Sequence, residues 1–255
     1  MAPTSIDGTE ITGATIDGQD VSEITVDGET VFTAIPDSVE HRWSLSEGGG
    51  TTAADSVGSN DMSISGATWI SGDYVDGYAL DPDGSDDYGL VSTFYDSNNV
   101  VDHGLAFTID GLTQDATNIM GTRSDGFVLL YDGANEPNAA PSLRFRDDTG
   151  TDVYFVQPAV DLNDGNKHRI IFNIPSADAN DAEIYVDGSS VSVNVEFNGS
   201  YSGSVTLDSD TAFFARSTDG SIFNYIGTIL DDIQFNTDQY SASEAQDDYD
   251  GQPWS

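Results

Sequence analysis

Lys167–Gly188, KHRIIFNIPSADANDAEIYVDG, holds two apolar runs separated by a polar connection. The first run is Arg169–Ile174 and the second is Ala182–Val186. Each is rich in β-branched and aromatic residues and bounded by turn formers, which predicts two strands. Pro175 ends the first run, because proline has no N–H to give to a ladder. Asp187-Gly188 closes the second, since a two-residue hairpin turn needs φ > 0 at both positions. Val191, Val193 and Val195 alternate after the turn and predict one returning strand.

Outward from this stretch, short runs recur with Gly and Asp between them. Leu105–Ile109, Ile119–Arg123, Phe127–Tyr131, Leu143–Arg146 and Val153–Val156 follow Trp43–Leu45, Met62–Ile64 and Ala67–Ile70 in the same style. Ser204–Leu207, Thr211–Ala215 and Tyr225–Phe235 complete the series. Strands this short and this regularly spaced, with almost no helical periodicity, predict a two-sheet sandwich. Ser241-Ala-Ser-Glu244 is a capping box, so a short helix is expected over Ala242–Tyr249. The first strand, near Trp43, is expected to pair with the last, near Ile233.

Specific motifs sharpen this reading. The chain carries Trp43-Ser-Leu45, Ala53-Ala-Asp55-Ser-Val-Gly58, Gly66-Ala-Thr-Trp69 and Gly77-Tyr-Ala-Leu-Asp-Pro-Asp-Gly-Ser-Asp-Asp-Tyr88, then Glu183-Ile-Tyr-Val-Asp-Gly188 and Gly227-Thr-Ile-Leu-Asp-Asp-Ile233. In order and spacing these resemble the laminin-G-like, concanavalin A-like jelly rolls. Pro82 stands where that family has an aromatic residue, and Lys167-His168 where Trp-His is usual. The resemblance implies an all-β, two-sheet antiparallel jelly-roll sandwich over residues 39–255. It also implies a structural calcium ion between an early Asp loop and the closing strand. By position Asp55, Asn60 and Asp231 or Asp232 are its expected ligands, since calcium takes carboxylate and carbonyl oxygens.

Residues 1–38 are different. Ile6-Asp7-Gly8, Ile16-Asp17-Gly18 and Val26-Asp27-Gly28 recur every ten residues, each unit reading as strand, turn, strand. Units repeated at a fixed period stack, because one unit cannot bury its own apolar face. The segment is expected to be an oligomerisation or docking module. It resembles N-terminal segments of surface proteins from tailed viruses of halophilic archaea.

Charge sets the habitat. The 255 residues include 45 acidic and 7 basic ones, a formal net charge of −38 spread along the whole chain. Self-repulsion of that size opposes compaction in dilute buffer, and molar salt screens it to about 3 Å. A hypersaline, extracellular setting is expected, with neither nucleic acid nor anionic membrane as partner. Cysteine is absent, so disulfides and thiolate metal sites are excluded. The N-terminus has no basic and apolar leader, so the expectation is either a missing leader or another route out of the cell, of which assembly into a virus particle is one.

No catalytic constellation stands out. A retaining glucanase on this fold needs two carboxylates about 5 Å apart on one strand face, and no Glu-x-Asp-x-x-Glu run occurs. His41, His103 and His168 sit in unrelated contexts. The expectation is a non-enzyme. The scarce arginines point instead to binding. Arg144 and Arg146 share a strand face by alternation, and Arg123 and Arg216 head similar turns, the first containing Asp125. With Tyr131 and Tyr154 near in sequence, they are candidates for an acidic-sugar site, since guanidinium suits bidentate anions.

These expectations combine into a turret, spike or tail-fibre protein of a haloarchaeal virus that binds host glycan or S-layer glycoprotein. Partners would be other virion proteins and copies of itself, a trimer ahead of a pentamer. The alternatives are a structural decoration protein without a ligand and a lectin module of a haloarchaeal cell-surface protein. Asn198-Gly-Ser200 is a glycosylation sequon.

Overall fold

The computed structural model describes residues 5–6, 9–10, 15–16, 19–20, 23–26, 29–33, 38–92, 102–112, 117–122, 127–131, 138–146, 152–174, 179–196, 210–218, 221–223 and 225–252. Two antiparallel sheets face each other. The eight-stranded sheet runs Thr68–Ser71, Tyr78–Asp81, Ile229–Asn236, Gly104–Asp110, Lys167–Asn173, Glu183–Val186, Ser189–Val191, and Val39–Trp43 also pairs with Ile229–Asn236. The nine-stranded sheet runs Val193–Glu196, Asp152–Pro158, Pro141–Arg146, Phe127–Tyr131, Thr117–Thr122, Asp210–Phe213, Tyr88–Ser92, Met62–Ser65, Thr52–Ala53. This is the two-sheet sandwich the spacing predicts and the resemblance implies, with Trp43 opposite Ile233 as expected.

The decisive stretch behaves mostly as read. Lys167–Asn173 pairs with Glu183–Val186, and Asp187 and Gly188 turn the chain at φ 50° and 74°. The returning strand differs from expectation. It breaks at Ser192, with Ser189–Val191 in one sheet and Val193–Glu196 in the other. The opposite side repeats the device. Met62–Ser65 lies in the nine-stranded sheet and Thr68–Ser71 in the eight-stranded one, with Gly66 at φ 84° between them. Strands that change sheet join the two sheets covalently along both sides of the sandwich. The reason the single alternating run splits is that its two ends must face the same core from opposite sheets.

Between the sheets lies an apolar core. Trp43 links the layers: its ring is 5.4 Å from Phe213 of one sheet and 6.4 Å from Phe235 of the other. Its indole N–H donates to the carbonyl of Asn60 at 2.8 Å, so burial leaves no donor unmet. Phe107 and Phe172 stack beside it at 6.2 Å. The helix Ala242–Asp250 closes the chain over the outer face of the eight-stranded sheet. Ser241 caps it reciprocally with Glu244, as the capping box predicts.

Three small hairpins precede the sandwich: Ser5–Ile6 with Thr9–Glu10, Thr15–Ile16 with Gln19–Asp20, and Glu23–Val26 with Glu29–Thr33. Each forms its own two-stranded sheet. The expected strand Ser204–Leu207 lies outside the described residues.

Candidate binding face and the arginine seam

The outer faces of the two sheets carry different chemistry. On the eight-stranded sheet, alternation sends Trp43, Phe107, Ile170 and Ile233 inward and Arg42, Thr108 and Arg169 outward. Register places Arg169, Thr108 and Asp231 in one cross-strand row. Asp232 is an extra residue at a bulge, with φ 42°, so a second carboxylate joins the same side. These groups are sealed: Arg169 and Asp232 are 0% exposed and Asp231 is 1% exposed.

The seam is ionic. Arg169 Nη2 lies 3.2 Å from Asp232 Oδ2 and donates to Asp248 Oδ1 at 3.0 Å, while its Nε donates to Asp248 Oδ2. Its Nη1 donates to the backbone carbonyl of Asp232. Arg42 Nε donates to Asp232 Oδ1 at 2.6 Å, and Gln234 Nε2 to Asp232 Oδ2 at 2.7 Å. Burial by itself pushes the Asp232 carboxyl up, but Arg42 and Arg169 overcome it and hold it below the ordinary range. Asp231 lacks that help. Burial first, and the Asp232 charge second, push its carboxyl up to about 8. Asp231 Oδ2 accepts the Val75 N–H at 2.8 Å, and its Oδ1 has no partner.

The early Asp loop is equally committed. Asp55 accepts hydrogen bonds from the N–H groups of Arg42, Gly58 and Asn60 at 3.1, 2.9 and 3.1 Å, and its Oδ2 is 2.6 Å from His41 Nδ1. Burial raises its carboxyl, and these donors more than reverse that, to about 2. Asn60 uses its backbone here, its N–H for Asp55 and its carbonyl for Trp43. Two of the expected calcium ligands therefore already have other partners, while Asp231 keeps its Oδ1 free of any. Asp55 is filled by N–H donors, and Asp232 by guanidinium groups. Among the described residues, three carboxylates whose oxygens lie within 4.8 Å of one another occur at Asp83, Asp86 and Asp87 instead.

The histidines are structural in their contacts. His168 lies between Asp187 at 2.9 Å and Asp164 at 3.1 Å, and the hydrogen bond to Asp187 leads in raising its pKa. Asp187 also accepts the Arg169 N–H at 3.0 Å, so it anchors the turn.

The outer face of the nine-stranded sheet is the candidate binding face. Leu143 and Val156 point into the core, so the alternate residues Arg144 and Phe155, which pair with each other, lie outside. The row continues through Val128 and Gly121 to Ala212, Leu90 and Ser63. Gly121 and Ala212 form a buried floor of small residues, flanked by half-buried Leu90 on one side and half-buried Arg144 and Phe155 on the other. The adjacent row holds Asn118, Ser142 and Gln157. Gln157 Nε2 is taken up by the carbonyls of Asn138 and Ala140, both at 2.9 Å. Asn118 is 0% exposed, yet neither its Nδ2 nor its Oδ1 has a partner.

The predicted arginine–tyrosine group is divided by register. Arg144 lies on the outer face. Tyr154 pairs with Phe145, one step out of the Arg144 row, and Tyr131 with Pro141, three steps out of it. A bulge shifts the pairing at Arg146, which lies opposite Asp152. Arg216 opens the strand Arg216–Thr218, whose hairpin lies against the nine-stranded sheet. Arg123, Asp125 and Asn198 lie outside the described residues. Sequence reading missed Asn118 and Phe155, which carry no motif. It also passed over Arg42 and Arg169, for which a signal existed: each stands in a strand beside core residues, and a cation is enclosed there only when it is paired.

No protein-family model and no curated protein sequence matches the chain. Solved structures do resemble it. The binding domain of Paraclostridial Mosquitocidal Protein 1 aligns with TM-score 0.64 at 11% identity, over 84% of this chain and 52% of that one. Domain 4 of AbnA, an extracellular arabinanase from Geobacillus stearothermophilus, in complex with arabinotriose, aligns with TM-score 0.58 at 12% identity, over 83% and 98%. Trypanosoma rangeli sialidase in complex with sialic acid aligns with TM-score 0.57 at 11% identity, over 90% and 35%. The chain thus spans about half of the mosquitocidal binding domain, about a third of the sialidase and nearly all of the arabinanase domain. What these likenesses establish is the fold, an all-β sandwich.

Proposed function

We propose that the chain is a non-catalytic glycan-binding module, and that the outer face of the nine-stranded sheet holds the glycan. The observation that carries this reading is Asn118. A buried amide with donor and acceptor both unmet costs stability unless something completes it. A sugar offers paired hydroxyls that both donate and accept, which matches an amide on each side once the cover over this enclosed row moves aside. Arg144 and Phe155 add a cation and an aromatic ring in the neighbouring row, the mixture of apolar surface and few placed polar groups that glycan sites use. The solved structures with related folds include domains described as binding or receptor-binding, and one holds an arabinose oligomer.

In the finer reading, the module is displayed on a haloarchaeal virus particle as a turret, spike or tail fibre and attaches to host glycan or S-layer glycoprotein. The −38 charge supports the hypersaline setting. The three hairpins support a stem of copies, a trimer first: isolated two-stranded hairpins are marginal alone, and repetition turns weak sugar contacts into firm attachment. A glycan array in molar KCl tests the binding, with Arg144→Ala and Asn118→Leu as controls. Binding that both substitutions abolish is expected. Binding that survives both moves the site elsewhere, and no binding to any glycan leaves a decoration protein. Sizing in the same buffer tests the stem, for which a monomeric full-length chain would be the wrong answer. Dilution into low salt should unfold the chain cooperatively; equal stability in both would remove the hypersaline argument.

A further inference from the structure

We propose that Arg42 and Arg169 take the place of a bound divalent cation at the Asp231–Asp232 pair, so that this seam of the sandwich is held without calcium. Two adjacent carboxylates are carried to one side of the closing strand by the bulge at Asp232, and both are enclosed. The enclosed Asp232 carboxylate beside Asp231 requires positive charge close by. The chain supplies it from two other strands. Arg42 comes from Val39–Trp43 and Arg169 from Lys167–Asn173, on either side of Ile229–Asn236 in the sheet or one strand beyond.

Both Asp232 oxygens are occupied: Oδ1 by Arg42 Nε at 2.6 Å, and Oδ2 by Gln234 Nε2 at 2.7 Å with Arg169 Nη2 at 3.2 Å. A metal ion there would have to sit against two guanidinium charges. It would also have to strip Asp55 of the N–H groups of Arg42, Gly58 and Asn60, leaving buried donors unmet. Arg169 does something that an ion would not. Its second edge grips Asp248 and so ties the terminal helix to the sheet. Six arginines and one lysine serve the whole chain, and two of the six are placed here.

The test is a pair of melts of the full chain in molar KCl, one with EDTA and one with CaCl2 in excess. Ligand that binds the folded state raises Tm. The two transitions should agree within about 1 °C. Should calcium raise Tm, variants locate it. A gain lost in Asp86→Asn puts the ion at the Asp83–Asp86–Asp87 loop, and a gain that survives Asp231→Asn also puts it away from the seam; either result supports the proposal. A gain that disappears in Asp231→Asn or in Asp55→Asn, while Asp86→Asn keeps it, overturns it. Independently, Arg42→Met should lower Tm by roughly 5 °C with or without calcium, because it removes one partner of a buried pair. An Arg42→Met chain as stable as the parent in EDTA would overturn the proposal as well. Neither arm depends on glycan binding, so failure here leaves the binding reading untouched.

Discussion

The two outer faces of the sandwich solve opposite problems with the same residue type. On the eight-stranded sheet, Arg169 is fully enclosed and nearly every polar group it meets is satisfied. On the nine-stranded sheet, Arg144 remains half-buried beside an aromatic ring, and the enclosed amide of Asn118 is unmet. The first arrangement is finished within the chain except at Asp231 Oδ1. The second leaves the Asn118 amide without a partner. The comparison teaches that an arginine's role here follows from what covers its face. A helix carrying Asp248 covers Arg169, and no described helix covers Arg144.

The largest expected effect comes from breaking the finished face. Arg169→Met leaves Asp232 and Asp248 without their shared cation, and unpairing a buried charge costs about 3–5 kcal/mol. Denaturant unfolding measures it. A cost under 1 kcal/mol, on the order of a surface substitution, would show that the two faces do not differ in this way.

A pH titration of stability sharpens the same contrast. The Asp231 carboxyl is raised in the fold from its ordinary 3.8 to about 8. A raised carboxyl binds its proton more tightly folded than unfolded, so its contribution is full below about pH 4 and is lost as pH climbs through about 8. His168 acts in the same direction: its raised value gives stability that is complete below its ordinary 6.5 and disappears above the folded value. Tm should therefore fall from mildly acidic to alkaline pH. Asp231→Asn should flatten the lower part of that slope and His168→Gln the upper part. A parent whose Tm rises across this window would contradict both assignments.

Smaller still is the helix that closes the finished face. It buries Ala245 and carries Asp247, Asp248 and Asp250 in its last turn, where the helix dipole disfavours negative charge. Its capping box should then matter. Ser241→Ala is expected to cost about 1 kcal/mol, read as a loss of helical circular dichroism before the main transition. Coincident loss of helix and sheet would mean that Asp248 and Arg169 alone hold it.

The smallest effect is expected on the unfinished face. Asn118→Leu removes an amide that has no partner, so stability should stay within about 0.5 kcal/mol of the parent or rise, while glycan binding falls. Strong destabilisation would mean that Asn118 is satisfied within the protein.

The sequence by itself determined the class of fold and much of its pairing. Alternating apolar residues, Asp-Gly turns and proline stops are local signals, and each acts within a few residues of where it is read. That is why Lys167–Gly188, the hairpins Leu143–Val156 and Ile119–Tyr131, and the capped helix after Tyr240 were legible. Trp43 opposite Ile233 was legible too, through the motif order. The split of Val191–Val195 between two sheets was not, because alternation is the same whichever sheet a strand joins. The site residues were legible only in part. Arg144 was reachable from composition, since cations are rare in this chain. Tyr131 and Tyr154 looked like its neighbours because they are close in sequence, yet register puts them three steps and one step out of its row. Only the tertiary structure decided that Arg42, Arg169, Asp232 and Asp248 form one ionic seam. Those residues are up to 206 positions apart, from 42 to 248 in the chain, and no local signal spans that distance. Burial supplies the physical reason: charges far apart in sequence become obligatory partners only once folding removes the water between them.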